Sequence, residues 1–178
     1  MLYSLLRANR HTPLHIHHSK CLATANLLVF CGLPSFFIVF STYYFPDDFN
    51  KWWNRYDKPT SFEIPTPDIF LAIQIAAFVI FGIGAFLVWQ VGGYRKRGFQ
   101  MTGYWLVCIG YGGSFLAFIY IEKLLAGLLV LIVSTALSIV ASFMFGRINC
   151  TSALLALPII SWHSYLVYLM VKIIQING

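Results

Sequence analysis

The sequence predicts an all-α fold, an integral membrane bundle of five transmembrane helices with a long first loop. Apolar residues make up 59% of the 178 and charged ones only 10%, too little polar side-chain material to cover a soluble globule. The charges are also clustered, which leaves charge-free windows at 21–46, 69–94, 98–121, 124–146 and 148–171. Each window can cross a hydrocarbon core of about 30 Å at roughly 1.5 Å rise per residue. Spans of that kind use nearly the whole chain, and lipid offers their backbone no partners, so they have to be helices. The chain divides into a basic tail, 1–21, and a membrane domain, 22–178, with spans at about 22–45, 69–91, 101–121, 124–146 and 150–176.

The tail carries Arg7, Arg10 and Lys20 with four histidines and no acid. Its apolar piece around Leu2–Leu6 is too short for the core of a cleaved signal peptide. His15 and His18 would share a helix face, but no carboxylate or cysteine completes a metal set, so a partly protonated tail near headgroups is the reading taken. The net charge of +6 is spread over tails and loops without interleaved stacking aromatics, which favours anionic lipid over nucleic acid as its partner. Cys21, Cys31, Cys108 and Cys150 form no CxxC pair, which argues against dithiol redox chemistry and a zinc site and for buried, inert thiols. No metal, cofactor or catalytic residue is called.

The first span places Gly32 and Pro34 near its middle, where the missing amide and the ring predict a kink. It ends at Tyr43, Tyr44 and Phe45, aromatics suited to the interface. The first loop, 46–68, holds five of the six acids, and Pro59, Pro65 and Pro67 prevent a continuous helix, so it is irregular. Its aromatics, Trp52, Trp53, Tyr56 and Phe62, predict an ordered cap against the bundle mouth. The second span has Gly82, Gly84 and Ala85 for close approach and ends at Trp89 and the basic turn GGYRKRG. In the third, Gly110 with Ser114 and Gly113 with Ala117 are small-xxx-small pairs, open to a neighbouring helix or to a homodimer through a second copy. After a turn at Glu122 and Lys123, the fourth span spaces Ser134, Ser138 and Ser142 along one face, where hydroxyls bond their own or a neighbour's carbonyls.

The loop charges place the amino terminus, Arg95–Arg97 and Arg147 on one side, which the positive-inside rule assigns to the cytoplasm for membranes reached through the secretory translocon. The fifth span is interrupted by Pro158, Trp162, His163, Tyr165, Tyr168 and Lys172. Leu166, Tyr168 and Lys172 fit the weak L/V-x-Y-x-K/R sterol pattern, and an interfacial tyrosine beside a snorkelling lysine fits them as well. His163, about 100° round the helix from Trp162, is open to ligating a haem iron or to bonding a neighbouring helix.

Two blocks of the chain resemble the TspO/MBR family, the translocator proteins formerly called peripheral benzodiazepine receptors. Trp52 and Trp53 stand for the WY of that family's first loop, Lys58 and Pro59 for its KP, and Pro65 with Thr66 for its PP. GIGAFLVW, Gly82–Trp89, is similar to the end of the family's second helix. In the last helix Ala153, Leu154, Leu155, Pro158, Trp162, Ser164, Tyr165 and Leu169 fall on the family pattern. Ile159, Ile160, Met170 and Phe62 depart from it, which removes polar anchors from the inferred pocket. The resemblance runs from Leu27 onward. It implies a five-helix bundle that binds, and can transport, tetrapyrroles such as protoporphyrin or haem, or sterols such as cholesterol. The pocket would lie beneath the first loop or along the fifth helix. Trp162, Pro158, Trp52, Trp53, Lys58, Pro59, Tyr165, Leu166 and Leu169 are the ligand-binding residues it points to, with Trp162 as an aromatic wall and Pro158 bending the helix around it. In a eukaryote the membrane would be the mitochondrial outer membrane.

Two other readings compete with this one. A membrane enzyme acting on a porphyrin or lipid needs titratable groups at one depth, and only His163 with Asp57 or Glu63 supplies them. A structural assembly protein would recruit its partners through helix three.

Overall fold

In the computed structural model of the chain, residues 20–44, 51, 54–59, 66–119 and 121–177 are described, and among them there is no strand. The tail histidines and Trp52, Trp53, Phe62, Glu63 and Pro65 lie outside the described residues. The apolar windows become α1 (Lys20–Tyr44), α2 (Pro67–Gln90), α3 (Gly93–Ile119) and α4 (Leu124–Gly146). The last crossing, Cys150–Asn177, is made by α5 (Cys150–Leu154) and α6 (Leu157–Asn177) together. Five helical segments are therefore long and apolar enough to cross a membrane. α3 begins earlier than its charge-free window, at Gly93 with φ 59°, and passes a non-helical Arg97 before entering the apolar run.

The interior is formed by α2, α3, α4 and α6, each touching its neighbours, while α1 stands outside α2 and reaches α3 over a short stretch. α2 is the most enclosed, burying Phe70, Gln74, Phe78 and Phe81 among others. Among its described side chains α1 buries a stripe, Phe30, Pro34 and Ile38, at i, i+4, i+8 spacing. What fixes it follows from Pro34. In a regular helix the amide at 34 would bond the carbonyl at 30, and proline has no amide to give. The helix nonetheless continues through Pro34, and the Phe30 carbonyl is instead satisfied by the Tyr104 hydroxyl of α3, which donates to it. The Phe30 ring packs edge-on to Tyr104 at 5.5 Å. On the same carbonyl lies Gly82 of α2, where an added Cβ would stand 2.6 Å from the oxygen.

The second proline break obeys the same rule. Pro158 would clash with the Leu154 carbonyl in a continuous helix, and α5 ends at Leu154. At the break Ala156 donates to Ala153 rather than one residue earlier, at 3.1 Å. Ser142 of α4 adds a bond to that Ala153 carbonyl at 3.2 Å. Gly84 lies over the break, where a Cβ would meet the Ser152 carbonyl oxygen at 3.1 Å. Pro158 thus opens the long helix rather than bending it from within, and its missing amide falls in the first turn, where it costs nothing.

The three serines of α4 use both partners expected of them. Ser134 donates to Val107 of α3 at 3.1 Å, Ser142 to α5, and Ser138 to its own helix at Thr135, 2.7 Å. Gly110 lies against Ser134, with a hypothetical Cβ 3.2 Å from that side chain, so its close approach is to α4 of the same chain. Ser114 and Ala117 are buried in the bundle as well. The thiols differ from expectation. Cys21 and Cys150 are exposed, while Cys31, which bonds the Val79 carbonyl of α2 at 3.6 Å, and Cys108, which packs on the core, are half-buried.

The Phe30 carbonyl supplies a direct test. Tyr104→Phe strips its proton donor and should lower stability by about 1–3 kcal/mol, the cost of an unsatisfied buried group, seen as a lower thermal midpoint in detergent. In a Pro34→Ala background the backbone amide returns, and the same substitution should cost markedly less. Equal losses in the two backgrounds would refute the link.

Candidate functional site

On α6 the residues at i, i+3, i+4, i+7 from Ile159 turn inward, burying Trp162, His163, Leu166, Leu169, Met170 and Ile173. They meet Phe70, Gln74 and Phe78 of α2 and Tyr111 of α3 in an aromatic cluster. The Trp162 indole is edge-on to Phe70 at 5.0 Å and stacks on Tyr165 at 5.5 Å. The His163 imidazole lies parallel to the Tyr111 ring at 5.1 Å, and Phe78 abuts both rings at 6.1 and 5.1 Å. The Tyr111 hydroxyl turns towards the Trp162 nitrogen and the Gln74 amide. Neither contact reaches hydrogen-bond geometry: the Trp162 nitrogen, both amide atoms of Gln74 and both ring nitrogens of His163 have no hydrogen-bond partner.

Beside the cluster, on the side of the first loop, is a small cavity walled by Phe70, Tyr111, Ser114, Phe118, Leu166 and Met170. It offers about 20 Å³ to the centre of a water-sized sphere, room for a water molecule. Its walls are apolar apart from the Tyr111 and Ser114 end, and the Ser114 hydroxyl is already bonded to the Tyr111 carbonyl at 2.7 Å.

Residues 54–59 are tied to this end of the bundle at two points. Asn177, at the end of α6, accepts from the Asp57 amide and donates to the Asp57 carbonyl, both at 3.0 Å. Its NH₂ also bonds Ile173 at 2.9 Å, which holds the side chain in place. Arg55 pairs with Glu122 at 2.5 Å, in the turn between α3 and α4 where Glu122 has φ 53°. The carboxylate raises the Arg55 pKa further, so this cation is permanent. Between the two ties Tyr56 packs on the core. Lys58 bonds the Tyr56 carbonyl at 3.3 Å, and burial pushes its ammonium below the usual lysine range, with Asp57 opposing.

The structure sorts the residues singled out from sequence. Trp162 is buried at the cluster's centre and Leu166 lines the cavity. Tyr165 is half-buried against Trp162, Pro158 is half-buried one turn before it, and Leu169 is buried away from the cavity wall. Lys58 and Pro59 are half-buried in the cap. Of the sterol pattern, Tyr168 is exposed with the Lys172 ammonium 5.9 Å from its ring centroid, while Leu166 faces the interior. Two residues along a helix turn it by about 200°, so the three side chains share no face. His163 is buried in the core and Asp57 is exposed on the cap, so that acid–base pair does not converge. Among the described residues no three metal-binding side chains gather.

Gln74, Tyr111 and Asn177 were not singled out from sequence. A lone amide in a charge-free span was the readable signal for Gln74, because polar side chains inside a membrane face the protein.

The profile of the TspO/MBR family matches residues 27–176, every crossing and the first loop included. Among curated proteins no significant match is found.

The cap predicts its own lability. Asn177→Leu removes both bonds to Asp57, and hydrogen–deuterium exchange at 54–59 should accelerate while exchange in α2 stays unchanged. Unaltered protection of the Asp57 amide would show that the clamp does not hold the cap.

Proposed function

The chain belongs to the TspO/MBR family, and from that membership we propose that it binds a flat hydrophobic ligand, a tetrapyrrole such as protoporphyrin or a sterol, between the cap and α6. Trp162 carries the proposal. It is a large indole held between Phe70, which lines the cavity, and Tyr165, with an N–H that no described protein group accepts. Ligand sites of this kind measure about 300–1,000 Å³, far above the present cavity, so binding entails lifting residues 54–59 and turning the Phe70 and Tyr111 rings. The apolar surface hidden by the ligand supplies most of the affinity, and the indole adds about 0.5–1.5 kcal/mol. Transfer of the ligand across or out of the membrane, and residence in the mitochondrial outer membrane where the source cell is eukaryotic, belong to the same proposal.

Titration of the purified protein with protoporphyrin, read by tryptophan quenching, should saturate. Trp162→Ala should weaken the affinity about tenfold, and Trp162→Phe, which keeps a ring against Phe70, by about threefold or less. Absence of saturation in wild type, together with absence of a sterol photo-crosslink, would sink the proposal.

A further inference from the structure

The interior next to the cavity contains more hydrogen-bonding capacity than the protein consumes. Gln74 is 1% exposed, His163 0% and Trp162 7%, yet none of their five side-chain nitrogen and oxygen atoms is paired. Three helices meet here, because Tyr111 of α3 stacks on His163. Phe70 and Tyr111 join these groups to the cavity, since both line it while Phe70 packs on Trp162 and Tyr111 on His163.

Counting donors and acceptors identifies what would fit. The Trp162 nitrogen is a donor only, the Gln74 amide is both, and a neutral imidazole has one donor and one bare acceptor. Together they match a group that accepts and donates at once. Among the described residues no cationic side chain lies in the cluster to balance a bare anion, and no acid is present to hold a cation. We infer that Gln74, His163 and Trp162 form a deep polar subsite for the un-ionised O–H of an otherwise apolar amphiphile, an alcohol or a protonated carboxylic acid. The oxygen accepts from Trp162 and Gln74 and the O–H donates to His163. The chain or ring system of the ligand then runs outward through the cavity towards the cap. This deepens the proposed function, resting on it only for the pocket beneath the loop.

The test uses full-length protein in phosphatidylcholine nanodiscs and three diazirine-bearing probes of equal chain length: 1-hexadecanol, its methyl ether and palmitic acid. The alcohol, the acid or both should label α2 and α6 near Gln74 and His163 saturably and at least threefold over the ether, and which of them does so identifies the source of the O–H. In Gln74→Leu with His163→Phe the preference should vanish, while the thermal midpoint holds or rises because two unpaired groups have been replaced by apolar ones. A loss of folding in that variant is checked with Gln74→Met alone, which should reduce the preference. Equal labelling by the ether in wild type means that the orphan atoms hold only water, and overturns the inference. A preference that survives in the variants overturns it too. Protoporphyrin titration on the same samples separates the two ideas: failure to quench with the O–H preference intact removes only the tetrapyrrole reading.

Discussion

A carbonyl buried in hydrocarbon has to find a proton, and the Phe30 carbonyl is where this requirement organises the bundle. Pro34 takes away its helical partner, and the Tyr104 hydroxyl replaces it from a different helix. Among its described side chains α1 buries Phe30, Pro34 and Ile38, and that bond, with the glycine contact at Gly82, helps to fix where α1 docks. α2 is thereby fixed between α1 and the interior, and its inner face, Phe70 to Phe81, is aimed at α3 and α6. The same solution recurs where Pro158 ends α5, with Ser142 and Gly84 in the places of Tyr104 and Gly82. Both glycines of the α2 motif therefore do a similar job: they bring its backbone against a segment that a proline has loosened.

The break before Pro158 also sets the site. Starting α6 at Leu157 gives Trp162 and His163 a rigid helix one turn below the break, and the inward stripe then carries Leu166 and Met170 to the cavity. A tryptophan in an irregular segment would have no fixed angle to Phe70. At the far end of the same helix Asn177 holds the Asp57 peptide. One helix thus supports the deep wall of the site and the clamp on its cover.

How far the sequence could be read follows from these contacts. Charge-free windows mark crossings because charges are expelled from lipid whatever the packing, so the five spans were legible without any tertiary knowledge. At Pro158 a bend within one span was expected, and the chain instead ends one helix at Leu154 and starts another at Leu157. The Tyr104 to Phe30 bond joins residues 74 apart, and the Asn177 clamp residues 120 apart; no local pattern encodes either. The sterol pattern failed to describe a surface because it specifies order and ignores rotation, so Leu166 and Tyr168 were grouped although they face opposite ways. Gln74 passed unnoticed since a single amide does not interrupt a hydropathy window, although inside lipid it is as informative as a charge. The exposed cysteines show the converse error: burial statistics come from water-facing surfaces, and here an exposed thiol is compatible with an apolar surrounding.

The interior resolves into two demands that pull apart. For stability alone, Leu at 74 and Phe at 163 would serve better, since each unpaired buried polar group costs about 1–3 kcal/mol. For a closed core, the remaining cavity of about 20 Å³ is already near the size of one water. A chain that keeps an amide, an imidazole and an indole N–H unpaired near that cavity, at the end of the bundle where a clamp and an exposed ion pair hold residues 54–59, departs from good packing at one place and on two helices at once. Departures of that kind concentrate where a protein works. The cover over them is held by bonds that water can replace, whereas the α1 to α3 bond that frames them lies where water cannot reach. On the proposed function, opening has a defined boundary: residues 54–59 would lift while the Phe30 and Tyr104 junction stays closed.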